Sequence, residues 1–503
     1  MKKIDEILAL PGIMERVAKL KMGRGWRIEP NTLHNMKNWF IEGHDINDKE
    51  KYPDKTIVIE KGKSITDPKT GKKYTTDDKI EKQPANHIAV PIEQDIVNIQ
   101  VGFGVGLEPT LNYDTNDVSE LALINSLRYT MKKNRCKFNN KKEMRAWLAE
   151  QEVAEYWYAS PDTDDFWAKA DKTEGYSISS PNFKLKCAIW SPFRGDKLYP
   201  FFEGDDMTGF LREYKKPIQN GLSYITCYML ITDTYVYMWD MDLTSVGGYK
   251  ETVFKHGFPK MPVIYTYRRK PYCHNIKPQR ERLEKTLSSY ADCIDYNFFP
   301  YLLLKGDVTN VSGRLKSHTI QLHGDGADAS YLTWNQAPDV VKFEIETYIN
   351  NMYAMTSTPR ISFDNLKGMT AISGVAFKFF FMGAHMQESN NEEDFGEFLN
   401  RRISFLTSAL GAINSRLFLP AQTLDIDTSM VPYMIDNISD KVTTAVAAYA
   451  GGIWSRKHAM IFAGQVEHLD EELKDIEEED AQKAKNMNQN QPSIIPKTDK
   501  QNN

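Results

Sequence analysis

Long uncharged apolar runs are missing from this chain of 503 residues. No segment offers the ~18 consecutive apolar residues that crossing a bilayer needs, so no membrane span is expected. Cysteine is scarce as well. Cys136, Cys187, Cys227, Cys273 and Cys293 are widely spaced, with no C-x-x-C pair and no Cys/His cluster. That argues against structural zinc and against a disulfide framework, and it fits a reducing compartment. There is no basic excess either: the formal net charge is −5. A tight nucleic-acid binder is therefore not expected, and any DNA contact is local. The opening MKKIDEILALPGIMERVAKLKMG carries charges through its apolar run and has no small-residue cleavage site. It reads as an amphipathic helix broken at Pro11 rather than as a signal peptide.

What is present is a globular composition, 41% hydrophobic and 26% charged, with 12% aromatic residues. The length allows several domains and a sizeable core. Residues 1–50 read as helical. Residues 51–83 turn Lys- and Thr-rich, with DPKTGKK between two β-prone runs, which predicts an exposed hairpin. An apolar helix pattern starts near His87, and helix is expected again over 120–160, with NKKEMRAWLAEQEVAEYW the clearest amphipathic run. Between 180 and 270 strands dominate. ITDTYVYMWD (231–240) reads as a turn at Thr232-Asp233 in an antiparallel sheet.

At Pro278 the pattern changes to a helix over 279–297, stopped by Pro300. A short β insert follows, with a turn at NVSG and another at HGDGAD. A second helix spans 339–355. Residues 356–372 are polar and turn-rich. A long apolar helix is expected over 373–412, then a β-like segment at 423–431 and a small helical unit ending in an acidic helix. The last residues, KNMNQNQPSIIPKTDKQNN, have a disordered composition.

No motif for catalysis is complete in the sequence. VGFGVG (101–106) lacks the Lys-Ser/Thr of a phosphate-binding loop and reads as a helix end. AISGVA (371–376) lacks the first glycine of a nucleophile elbow, because Ala371 stands there. His318 and His323 would fall on opposite faces of a strand, so a metal site is not expected. The cluster Glu467–Asp480 holds nine carboxylates and one lysine, which reads as a solvated helix face. No catalytic residue, metal ligand or cofactor is assigned.

The order of parts carries more than any one motif. QPANHIAVPIEQDIVNIQVGFGVGLEP, ITDTYVYMWD, MTAISGVAFKFFFMGAHMQE and ISDKVTTAVAAYAGGIWSRKHAM…EELKDIEEE occur in the order seen in portal proteins of tailed double-stranded-DNA bacteriophages. Over roughly residues 83–480 the chain resembles the siphovirus-type portal family. The departures are the 51–83 hairpin, the β insert, and Trp454-Ser455-Arg456-Lys457 where the family more often has Ser-Lys-Glu-Thr.

The resemblance implies an α+β portal-type subunit in a dodecameric ring around a DNA channel at one capsid vertex. Residues 1–277 would be an α/β wing, 278–299 and 337–355 two stem helices, and 300–336 a small β-containing clip. Residues 356–372 would be the tunnel loop, 373–437 the long wing helix and β segment, 438–480 a helical crown, and 481–503 a disordered tail. Partners would be terminase, a head-tail adaptor, the major capsid and scaffolding proteins, and duplex DNA passing non-specifically. The location would be the virion, with host cytoplasm during assembly. Arg360 and Lys367 are the expected phosphate-facing residues, with Lys342 a weaker candidate. A weak belt of charge suits transit, since every neutralised phosphate tightens binding. The alternative readings are a hydrolase with paired carboxylates on the strand-rich middle, or another ring-forming connector or tail protein.

Overall fold

The computed structural model describes residues 3–24, 38–66, 71, 73–75, 77–164, 166–170, 182–218, 221, 223–242, 248–297, 301–311, 320–332, 338–361, 379, 381–433, 438–464 and 469–489. The chain is a mixed α+β protein in two compact units, one of residues 1–370 with 379–433, the other of 371–378 with 434–503.

The first unit opens with α1 (Lys3–Leu8) and α2 (Ile13–Met22), separated at Pro11 as the sequence predicts. The 51–83 region is a two-tier hairpin: β1 (Lys55–Glu60) pairs with β4 (Lys79–Gln83), and β2 (Ser64–Thr66) with β3 (Lys73–Thr75). Then come α3 (Ile92–Gly104), β5 (Thr110–Asn112), α4 (Val118–Lys133) and α5 (Cys136–Glu150). Here one expectation fails. EVAEYWY is not the end of a helix but the start of β6 (Glu152–Pro161), entered through Gln151 at φ 76°. Its Glu and Ala favour helix locally, but pairing with β7 (Phe183–Trp190) and β13 (Val263–Tyr267) on either side decides the outcome.

β8 (Lys197–Glu203), β9 (Asp206–Ile218), β10 (Ser223–Thr232), β11 (Tyr235–Met241) and β12 (Tyr249–Lys255) form a five-stranded antiparallel sheet. The β10–β11 turn is held by Thr232, whose Oγ1 accepts from Tyr235 N at 3.1 Å. Alternation along β10 sorts its side chains between two cores. Met229 and Ile231 meet Tyr156 and Trp190 of the three-stranded sheet, whereas Tyr228 and Leu230 meet Ile4, Val17 and Leu20 of α1 and α2. On β6, Val153 and Trp157 face a third core built on α3, α4, α5 and a later helix. Each Leu or Val fully buried this way contributes ~1.5–3 kcal/mol.

α6 (Lys277–Asn297) and α7 (Pro338–Met355) flank a hairpin of β14 (Tyr301–Val311) and β15 (Ile320–Leu332). The turn expected at HGDGAD is absent: those residues continue β15, with His323 opposite Asp307 and Gly326 at φ 84° beside a register shift. A bulge accommodates the glycine-rich stretch that looks like a turn when read alone. The 312–319 segment with His318 lies outside the described residues. α6 also carries a polar ladder, one group per turn. Glu284, Ser288 and Asp292 accept the backbone N–H groups of Val90, Ile88 and Asn86 at 2.9, 2.9 and 2.8 Å.

The long helix expected over 373–412 is interrupted. α8 (Met382–Asn391) passes through a π-turn at Glu392–Gly396 into α9 (Glu397–Ile413), and residues 373–378 lie outside the described residues. Glu392 Oε1 accepts from Met430 N at 3.0 Å, so the widened turn is used to meet the following segment. A short α10 (Pro420–Thr423) leads to β16 (Asp427–Ser429), which pairs with β5.

The second unit holds α11 (Ile438–Ala450), α12 (Arg456–Ala463) and α13 (Leu469–Gln489). Ser455 caps α12 by accepting from His458 N at 3.2 Å. α13 runs on past residue 480, where the sequence composition turns to Asn and Gln, and Arg456 pairs with its Asp480 at 2.8 Å.

Candidate functional site

The segment after α7 is held by a small set of buried polar groups. Ser357 takes a left-handed conformation (φ 48°), and Thr358 N donates back to Tyr353 O at 3.0 Å, which closes the helix end. Thr356 Oγ1 donates to Met352 O at 2.9 Å. Gln100 of α3, fully buried, donates from Nε2 to Thr358 Oγ1 at 2.8 Å, and the Tyr272 hydroxyl donates to Thr356 O at 2.5 Å. Tyr353 donates its hydroxyl to Asp95 of α3. The root of the segment is therefore fixed to α3 and to the 272–276 turn.

Arg360, half-buried, lies two residues beyond this clamp, with Nη1 donating to Asn350 Oδ1 at 2.9 Å. Lys342 is exposed on α7 and sits 4.0 Å from Glu346, one turn on. Lys367 and the AISGVA motif lie outside the described residues. The structure thus gives Arg360 and Lys342 places on and after one helix, and it does not bring them into a single cluster.

Further along the chain, α8 packs on the end of α3. A Cβ on Gly104 would overlap the Glu388 carboxylate, and one on Gly106 would overlap the Gly102 carbonyl. VGFGVG is a helix end whose glycines permit close approach, as the sequence predicts. Glu388 is only 2% exposed, and neither carboxylate oxygen has a hydrogen-bond partner of good geometry, though the Asn391 amide lies beside it. Burial pushes this carboxyl up to about 7, and Glu392 adds to the rise.

Deeper in the same unit, Arg402 of α9 is 1% exposed and ties three elements together. It donates to Asn140 Oδ1 and Glu143 Oε2 of α5, both at 2.6 Å, and to Glu155 Oε2 of β6 at 3.0 Å. Burial and the adjacent Glu155 raise Glu143 well above an ordinary carboxyl. Gln100, Tyr272, Glu388 and Arg402 are absent from the sequence reading. No local pattern in the sequence marks them. Among the described residues, no group of three His, Cys, Asp or Glu is placed to hold a metal ion.

The sequence matches the family described as "Phage portal protein, SPP1 Gp6-like" over residues 31–486. The chain belongs to this family. Phage portal proteins are structural, oligomeric components of the virion, and an α+β architecture is in keeping with that membership. No curated protein matches the chain. Among solved structures, it is similar to a chain from the virion of a native gene transfer agent (GTA) particle, at 11% identity and a TM-score of 0.32, over 74% of this chain and 88% of that one. No helix among the described residues is long and apolar enough to cross a membrane.

Proposed function

We propose that this portal protein assembles as a dodecameric ring whose axial channel passes DNA during packaging and ejection, docking terminase first and the head-tail adaptor later. In this reading α6 and α7 are the stem and the β14–β15 hairpin the clip. Residues 356–372 are the tunnel loop, the 1–277 region with α8 and α9 the wing against capsid and scaffolding proteins, and α11–α13 the crown. Assembly takes place in host cytoplasm before the ring is sealed into the virion.

The observation that carries the proposal is apolar surface left in water near the start of α8 and over the first turns of α7. Met382 and Met386, one turn apart on α8, are 52% and 65% exposed, and Phe379, just before the helix, is 68% exposed. On α7, Val340 and Phe343 are 64% and 71% exposed. Large apolar side chains grouped this way mark an interface. In a ring, neighbouring subunits cover them.

Arg360 and Lys367 then form a sparse belt of positive charge at the channel's narrow part. Alanine at both positions is expected to reduce packaged DNA per particle, read by quantitative DNA release from purified particles, while ring formation is unchanged. Normal packaging in the double variant removes both residues from the channel.

A further inference from the structure

A dense run of positive charge, outside the loop segment and α7, lies at the α4–α5 corner. Residues 128–145 contain eight cations (Arg128, Lys132, Lys133, Arg135, Lys137, Lys141, Lys142 and Arg145) and one acid, Glu143. Glu143 is buried on Arg402 and is not available to them. Chain continuity puts the last turn of α4 and the first turn of α5 at one corner, with only Asn134 and Arg135 between the helices. Arg128, Lys132, Lys133, Arg135, Lys137 and Lys142 are exposed.

Local energetics do not account for this pattern. Among the described residues, Lys132, Arg135, Lys137, Lys141 and Lys142 make no ion pair. The nearby contacts are with neutral groups: Lys133 lies 5.2 Å from the Tyr129 ring centre, Arg128 donates to the Tyr113 hydroxyl at 3.2 Å, and Arg145 donates to Asn98 Oδ1 at 3.0 Å. Lys137 stands in the first turn of α5, where the helix dipole disfavours a cation. Lys137, Lys141 and Arg145 are like charges at successive i, i+4 positions, which costs a helix a few tenths of a kcal/mol per pair. α5 has no acidic residue in its first turn, and Arg135 at its N-cap makes no capping bond. The corner gathers positive charge against the preferences of its own helices, as functional surfaces do.

The geometry points to a second, external DNA-binding surface on this portal subunit, in which the α4–α5 corner holds the phosphate backbone of duplex DNA without reading its sequence. Two features favour a duplex over an acidic protein segment. Phe138 is the one large apolar side chain exposed in 128–145, so there is no apolar seam for a partner helix to pack into. Most of the cations are lysines, point charges suited to shifting contacts along a backbone rather than to fixed bidentate pairs. This surface is independent of the channel belt proposed for Arg360 and Lys367.

The test is fluorescence anisotropy of a random-sequence duplex with the full-length protein, titrated across 50–200 mM NaCl. The variant K132Q/K137Q/K142Q is compared with K49Q/K250Q/K255Q, which removes equal charge elsewhere on the surface. Wild type is expected to bind with a steep salt dependence. The corner variant is expected to lose at least tenfold in affinity and about 2.7 units of log–log salt slope, ~0.9 per lost phosphate contact. The control variant should keep both, and circular dichroism should match for all three. Equal losses in the two variants overturn the proposal, as does wild-type binding to polyglutamate but not to duplex.

Discussion

Replacing Arg402 with methionine is expected to cost the fold ~3–5 kcal/mol, the range for removing one partner of a buried ion pair. The guanidinium is the only cation that donates to both Glu143 and Glu155 among the described residues, and both carboxyls are fully buried. Burial opposes the Arg402 charge, but Glu155 and Glu143 hold it firmly protonated. Methionine fills the volume yet leaves the buried Glu155 and Glu143 carboxyls with no counter-ion among the described residues, Glu155 keeping the Trp157 indole N–H at 3.0 Å. Denaturant titration of the variant should show a lower midpoint with little change of slope. R402M/E143Q/E155Q should recover most of the loss, because a group with no charge to desolvate needs no counter-ion. If the triple variant is as unstable as the single one, packing rather than charge is what Arg402 supplies.

The second large effect is expected at Glu388. Its folded-state value of about 7 lies above the ordinary 4.5, so the native chain holds this proton more tightly than the unfolded chain does. Stability from this group is therefore complete below about pH 4.5 and is lost as pH rises through about 7, a difference of roughly 3 kcal/mol. Glu388→Gln keeps the shape and removes the titration. Denaturant curves at fixed protein concentration should coincide for wild type and E388Q near pH 4.5 and diverge by pH 8, with the variant more stable. Parallel pH profiles would show that the carboxyl is solvated in the native protein. The same sign applies to other buried carboxyls, Glu150 and Glu152 among them, which burial also pushes up to about 7, so comparison with E388Q isolates the one group.

These two residues mark where the sequence stops being readable. The β10–β11 corner is legible because its signal is local: alternation through SYITCYMLITDTYVYMWD has one solution, two strands and a turn. α6 and α7 are legible from Pro278 and Pro338 at their starts and from apolar residues at helical spacing. EVAEYWY is not, because its strand state comes from pairing with residues 183–190 and 263–267. Arg402 reads as one more charge in NRRISF. Its partners stand 247 and 259 positions away, and no local pattern announces them. Glu388 reads as the polar side of MGAHMQES until α3 is seen to press Gly104 against it.

The loop candidates show the same limit. Arg360 is a candidate only through the resemblance of its segment to a tunnel loop, whereas Gln100 and Tyr272, which fix the root of that segment, come from elsewhere in the chain. The basic run 128–145 is plain in the sequence. What the sequence could not show is that its one acid is buried on Arg402 and that, among the described residues, five of its cations make no ion pair.

The central claim is that this subunit is built to stand in a ring, and the exposed Phe379, Met382 and Met386 are its main physical support. Negative-stain electron microscopy of the purified full-length protein across assembly conditions tests it directly. The account predicts closed rings with an axial hole. Monomers without an axial hole under every condition would contradict it.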